Sequence, residues 1–245
     1  MIHCYYTMIK LRKICVLLSV PLLVAFSSCS ARIEGVVREG GAAEISLKTS
    51  LEMRTHALIS SLRDFMGDES DAPILDGPSI SRSMAAAPGI RSVSLGNTGP
   101  AALEGDILIS DVNDFLATGT ARFITFTEGQ DVGSSSIVIN LDRAAAPQII
   151  SRLSPEVEEY LAALLAPVVL GEVMPAQEYI ALVTMVYGRP QAQEIAAAKI
   201  SVSIEFPRPP TVVLGGTASG RRAEFEIPLV DLLVLETPLL YEVHW

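Results

Sequence analysis

The strict alternation of apolar and polar residues near the C-terminus is the feature that most constrains the fold. Residues 200–206, 222–227 and 239–245 each alternate in this way. Because successive side chains of a strand point to opposite faces, each stretch would have one buried face and one face in water. This pattern is typical of antiparallel sheets that are covered on one side only. The C-terminal part therefore predicts an antiparallel sheet with a second layer over its apolar face.

A helical block is predicted in the middle of the chain, between two groups of strands. Residues 44–51 alternate like the C-terminal stretches, and residues 122–127 and 135–141 read as a hairpin. Residues 143–199 change to apolar spacings of three and four, which indicate helices with one buried face. We therefore expect an α+β fold, in which an antiparallel sheet with strands from both chain ends packs on the central helices.

Composition agrees with one globular domain. Apolar residues make up 49% of the 245 residues and charged residues 19%, so general disorder is excluded. No internal repeat and no convincing linker divides the chain, and residues 42–245 are predicted to form a single domain. The net charge of −10 argues against binding to nucleic acid.

The N-terminus has the three-part pattern of an export signal. Lys10, Arg12 and Lys13 precede residues 14–26, which carry no charge, and Ser27 and Ser28 follow. The apolar run is shorter than the roughly 20 residues that a membrane-spanning helix needs. Residues 1–28 are therefore predicted to be a signal peptide, and Met8 would give a more usual start than Met1.

Cys29 makes this signal more specific. Ala25, Phe26, Ser27, Ser28 and Cys29 resemble a bacterial lipobox of the relaxed, spirochaetal type, with Phe26 where Leu is usual. The resemblance implies that Cys29 becomes the acylated first residue of the mature protein, with palmitate-type chains as a membrane anchor. We expect residues 29–41 to form the lipidated N-terminus with a tether or a first edge strand. The alternatives are an ordinary secreted protein and an uncleaved signal anchor.

The location implied by this anchor is the cell envelope. The domain would lie in the periplasm or at the cell surface, bound to the inner or the outer membrane. Only Lys48 and Lys199 remain as lysines after the signal, so the mature chain has no polybasic patch for anionic lipids. Attachment to the membrane would then depend on the lipid of Cys29.

No catalytic or metal site is expected. His56 and His244 are the only histidines after the signal, and each is interpreted as a surface residue. The chain contains no Gly-x-Ser-x-Gly motif, no pair of metal-ligating histidines and no ordered calcium loop. Residues 215–220 are rich in glycine but lack the ending of a phosphate loop, so a hairpin turn is favoured. We expect no cofactor, no metal and no enzymatic activity.

The apolar faces of the central helices have two interpretations. They can be plain core packed against the sheet, or they can form the wall of a cavity for a lipid or another apolar ligand. The candidate cavity residues lie in or near the apolar part of this block and are Tyr160, Leu161, Leu164, Val168, Tyr179 and Met185.

The C-terminal residues resemble the LppM-type family of bacterial lipoproteins. Residues 204–207 read Ile-Glu-Phe-Pro, Gly216 and Gly220 follow, and residues 223–225 read Ala-Glu-Phe. Arg208 stands where that pattern tends to have Gly, and Phe225 where it tends to have Trp. The resemblance implies a helix-grip, START-like fold and binding of lipid or glycolipid, and it transfers no catalytic residue.

Two hypotheses of function follow from the sequence. The first is a lipid-anchored envelope protein that binds a lipid or other apolar ligand in a cavity between sheet and helices. The alternative is a non-catalytic envelope scaffold or surface interaction lipoprotein without a small ligand. An exposed apolar patch with no internal cavity would favour the alternative.

Overall fold

The structure is a computed structural model of the chain. It describes residues 30–50, 56–57, 60–61, 76–117, 123–146, 161–162, 164 and 166–245. The signal segment and Cys29 lie outside the described residues.

Eleven strands and six helices are described. The strands are β1 (Ser30–Val37), β2 (Ala43–Ser50), β3 (Ile90–Gly99), β4 (Ala102–Ile109), β5 (Ile124–Thr127), β6 (Ser136–Leu141), β7 (Lys199–Glu205), β8 (Val212–Leu214), β9 (Thr217–Ser219), β10 (Arg222–Pro228) and β11 (Leu239–His244). The helices are α1 (Gly77–Ala85), α2 (Val112–Ala117), α3 (Pro167–Leu170), α4 (Ala176–Tyr187), α5 (Arg189–Ala197) and α6 (Leu229–Val234).

The strands form two open sheets. The larger sheet has seven strands in the order β3-β4-β2-β1-β7-β10-β9, and the smaller has four in the order β5-β6-β11-β8. The α+β class is confirmed, and strands from both ends of the chain do meet in one sheet. One pairing differs from the prediction, because β1 and β7 run parallel while every other described pair is antiparallel.

The expectation of a tether or an edge strand before residue 42 is wrong. Residues Ser30–Val37 form β1, which lies in the middle of the larger sheet between β2 and β7. The backbone of β1 is paired on both sides, Ser30 with Ser50 and with Lys199. The sequence signal was weak because β1 contains Gly35 and two charged residues, and its partners are supplied by a distant part of the chain.

One face of the larger sheet is apolar, and two different layers cover it. Helices α1 and α2 cover the β2–β4 half with Ile80, Met84, Val112 and Phe115. The smaller sheet covers the β7–β10 half, where its strands β6 and β11 contact the larger sheet. The prediction that the central helices cover this face is therefore wrong.

The centre of the contact between the sheets is aromatic. The ring centroids of Phe206 and Trp245 are 4.6 Å apart, and those of Phe126 and Trp245 are 6.0 Å apart. Phe225 and Tyr241 meet edge to face, which is a favourable geometry for two aromatic rings. Trp245 is 5% exposed, so the apolar face predicted for residues 239–245 is confirmed.

The central helices have a core of their own. We call this part of the molecule the helical unit and define it as Leu161, Leu164, residues 166–198 (with α3, α4 and α5) and α6. The apolar cluster of this unit contains no strand residue. Strand β7 begins directly after α5, and α6 begins directly after β10, where the Leu229 N–H donates to the Ala198 carbonyl oxygen over 2.9 Å. The helical unit is thus attached to the larger sheet at the end where β7 begins and β10 ends. The long covering helix of a helix-grip fold is not found among the described elements, where the longest helix, α4, has 12 residues.

Candidate functional site

The predicted cavity residues lie mainly in the core of the helical unit. Leu164 and Tyr179 are buried there, and Leu161 and Val168 pack against the same cluster. The Tyr179 hydroxyl donates a hydrogen bond to the Leu164 carbonyl oxygen over 3.1 Å, and the residue is fully buried. The described core of the helical unit is thus packed around Tyr179.

The other two candidates are not in this core. Met185 lies on the solvent side of α4 and is 78% exposed, because it falls outside the α4 face that carries Tyr179 and Val183. The assignment of Met185 to an internal cavity is therefore wrong. Tyr160 lies outside the described residues.

Arg143 connects the smaller sheet to the helical unit by hydrogen bonds. The sequence analysis did not predict this role. It follows β6, and its Nε donates to the Leu235 carbonyl oxygen over 3.1 Å. Its other guanidinium nitrogens donate to the carbonyl oxygens of Val234 and Glu172. These acceptors lie where α6 and the α3 segment end, so one planar cation satisfies carbonyl groups that the helices leave without partners.

A small apolar cavity lies between the two sheets. Its volume is about 30 Å³, which is room for about one or two water molecules. Ligand pockets usually have volumes of about 300–1,000 Å³, so this space is closed to a lipid in the structure. The lining is entirely apolar or aromatic: Ile137, Ile139, Val202, Ile204, Phe206, Phe225, Ile227, Tyr241 and Val243.

A second small cavity, about 40 Å³, lies at the end of the sheets near Trp245. Arg38, Glu39 and Arg208 border it, and Arg208 donates to the Gln130 carbonyl oxygen over 3.2 Å. Because Trp245 is buried, its ring is no stacking platform for a sugar. This cavity is also far too small for a lipid.

The outward face of the larger sheet is polar and uncovered by any described element. We call it the polar sheet face. The strand registers place its side chains in rows, and the central row alternates carboxylates with serines. That row is Asp106, Ser46, Glu34, Ser203 and Glu224.

Ion pairs border this central row. Lys48 lies 3.0 Å from Glu104, and Lys199 lies 2.6 Å from Glu226. All four side chains are at least 46% exposed, so these pairs contribute little to stability. Among the described residues, Asp106 and Glu224 have no ion-pair partner, which leaves net negative charge on the polar sheet face.

Shifted pKa values occur in the helical unit and beside it. Burial, and to a smaller extent the Tyr187 phenol, raises the pKa of the Tyr179 hydroxyl above its usual range. Burial, and then the charge of Glu236, raises the pKa of Asp231. The Tyr179 hydroxyl is bonded to the backbone carbonyl oxygen of Leu164 and not to a nucleophilic side chain.

The two histidines that follow the signal, His56 and His244, both lie among the described residues. His244 on β11 pairs with Glu242 on the same strand, and both side chains are 30% exposed. The part of the chain that is described contains no cluster of three or more metal-ligating side chains. None of its helices combines the length and the apolar character needed to cross a membrane.

No protein-family model matches the chain, and no curated protein matches it. Among solved structures, the chain is similar to the NMR structure of the folded domain of LppM from Mycobacterium tuberculosis. The match covers 89% of this chain and 88% of that chain, with 8% identity and a TM-score of 0.39. LppM gives its name to the family that the C-terminal residues resemble.

Proposed function

We propose that this protein is a lipid-anchored, non-catalytic protein of the cell envelope that binds a protein partner through the polar sheet face. The observation that carries the proposal is that this broad face of a seven-stranded sheet is left uncovered by every described element. Asp106 and Glu224, its exposed carboxylates without an ion-pair partner among the described residues, favour a partner with cationic side chains opposite them.

The cavity volumes favour this function over storage of a lipid. The two cavities, with volumes of about 30 and 40 Å³, are an order of magnitude below the usual size of a ligand pocket. Of the helix residues expected to line a cavity, Leu161, Leu164 and Val168 pack in one cluster with Tyr179 instead.

Acylation of Cys29 is the second part of the proposal. It is supported by the uncharged run, by the small residues before Cys29 and by the absence of a polybasic surface in the sequence after the signal. We expect Cys29→Ala to abolish incorporation of labelled palmitate, while the neighbouring change Ser30→Ala leaves it intact. Labelling that persists in Cys29→Ala would contradict the anchor.

Photocrosslinking in intact cells tests the partner surface. A photoreactive side chain at Ser46, in the central row of the polar sheet face, is expected to crosslink to a discrete envelope protein. The matched control carries it at Asn140, which is exposed on β6 of the smaller sheet. Equal crosslinking at both positions, or none at Ser46, would count against the polar sheet face.

A charge test separates specific docking from chance contact. Replacing Asp106 and Glu224 with lysine should reduce the Ser46 crosslink at least about tenfold, because like charges across an interface oppose association. Rising salt should weaken the same crosslink in isolated membranes. Replacing two exposed polar residues of the smaller sheet is the control.

A second candidate, lipid binding between the sheets, is favoured by the wholly apolar lining of the cavity there. It requires the sheets to separate, since an acyl chain does not fit otherwise. Native mass spectrometry of residues 30–245, followed by solvent extraction, decides this point. Stoichiometric lipid would establish the second candidate, and an apo mass that does not change on lipid titration would exclude it.

A further inference from the structure

We propose that the helical unit is the membrane-facing end of the molecule and contacts the bilayer through Val173 and Met185. This inference rests on the proposed acylation of Cys29. It concerns the orientation of the domain on the membrane and is independent of the partner surface.

The anchor position sets which end of the sheet meets the bilayer. Cys29 directly precedes Ser30, the first residue of the central strand β1, and consecutive Cα atoms are about 3.8 Å apart, so only one peptide bond connects the proposed anchor to this strand. No tether separates the anchor from the fold, because Ser30 is already paired with Ser50 and Lys199. The acyl chains therefore hold this end of the larger sheet at the membrane surface.

The helical unit is attached at the same end of the larger sheet. Ser30 is paired with Lys199, the first residue of β7 and the second after the end of α5, and Lys199 is paired with Pro228, the last residue before α6. The chain thus passes from α5 into β7, and from β10 into α6, beside the anchored end of β1. The opposite end of the sheet, with the turn after Val37, points away from the bilayer.

The exposed side chains of the helical unit suit an interface with lipid. Val173 is 81% exposed and Met185 is 78% exposed, and the unit also exposes Leu170 and Val186. By contrast, no large hydrophobic residue is exposed on the polar sheet face among the described residues. Apolar side chains at a membrane surface can be buried at the boundary between headgroups and acyl chains.

Val132 provides a matched control. It is 73% exposed, close to the values for Val173 and Met185, but it lies in the loop before β6. This loop is at the far end of the sheets, since the neighbouring Gly133 N–H donates to the Trp245 carbonyl oxygen over 2.9 Å. A difference in lipid quenching between a label at Val132 and labels at Val173 and Met185 therefore reflects the orientation of the domain and not the exposure of the side chains.

The test uses the full chain, processed by the cell, purified in detergent and placed in phosphatidylcholine vesicles that contain a doxyl-labelled lipid quencher. Val173→Cys, Met185→Cys and Val132→Cys are prepared singly and labelled with an environment-sensitive fluorophore. Cys4 and Cys15 lie in the predicted signal and the acylated Cys29 has no thiol, so each variant offers one site.

We expect the labels at Val173 and Met185 to shift to the blue and to be quenched at least about twofold more than the label at Val132, because interfacial residues sit roughly 5–10 Å into the headgroup region. Equal quenching at all three positions, in protein whose mass shows the acyl groups, would overturn the orientation and leave the anchor standing. A mature mass without acyl groups would overturn the anchor and this inference together.

Discussion

Tyr179 stabilises the helical unit both by burial of its ring and by a hydrogen bond of its hydroxyl. Its ring is fully buried in the helical core, and its hydroxyl satisfies the Leu164 carbonyl oxygen. A buried tyrosine usually finds such a partner, because an unpaired hydroxyl in an apolar core is costly. The role of this residue is therefore structural.

Tyr179→Phe should lower the free energy of unfolding by about 1–2 kcal/mol, because the Leu164 carbonyl oxygen loses its donor in a dry site. The matched control is Tyr241→Phe, since the Tyr241 hydroxyl forms no hydrogen bond to any described residue. That change should cost less than about 0.5 kcal/mol. Urea unfolding of residues 30–245 measures both, and equal losses would contradict this role.

Alkaline pH should destabilise the protein through the same side chain. The pKa of Tyr179 is raised in the folded state, so its contribution is fully present below about pH 10, the unfolded pKa. It is lost as the pH rises above that value, because the unfolded state releases the proton first. Thermal melts between pH 8 and pH 11 should show a steeper decline for the native sequence than for Tyr179→Phe. Parallel declines would exclude Tyr179 as the cause.

At the scale of elements, the β3–β4 pair depends on a close approach of two backbones. A Cβ atom added to Gly105 would lie 1.9 Å from the Ser94 carbonyl oxygen and 2.8 Å from the Leu95 Cα atom. The pairing register shifts near both ends of β3, so this pair is already irregular. Only glycine permits the approach at this position without displacing backbone.

Gly105→Ala should therefore destabilise the protein by at least about 1–3 kcal/mol, the usual cost of overpacking, since backbone atoms must move. The control is Gly96→Ala on the neighbouring strand, where an added Cβ meets nothing within 4 Å. We expect the control to be nearly neutral in urea unfolding. A Gly105→Ala variant as stable as the control would show that the two strands are farther apart.

At the scale of the whole molecule, β1 joins the two halves of the larger sheet. The pairs β2–β4 and β7–β10 lie on opposite sides of it, and the β1–β7 pair is parallel. Without β1, both flanking strands would expose unpaired backbone groups in the middle of the sheet. The first residues after Cys29 are therefore part of the fold.

A chain that begins at residue 41 should fail to fold, whereas a chain that begins at residue 30 should fold. Far-ultraviolet circular dichroism and the soluble yield compare the two. A cooperative melt of the shorter chain at an unchanged temperature would contradict the central position of β1 and would restore the tether interpretation of residues 29–41.

The sequence by itself determined the local features of this protein. Alternation identified β7, β10 and β11 and the buried position of Trp245, because a strand's period of two is visible within one segment. The starts of α1 at Asp76 and of α2 at Asp111 are local features as well, since these carboxylates accept hydrogen bonds from the N–H groups of residues that follow closely.

Only the tertiary structure determined which elements cover each apolar face. The pairing of β1 with β7 joins segments more than 160 residues apart, and no local pattern encodes such a partner. The apolar stripe of α4 is compatible with packing on a sheet, on a ligand or on other helices. The sequence does not distinguish these partners, because the hydrophobic effect is non-directional. The separate helical core and the second sheet over the first were therefore beyond the reach of periodicity.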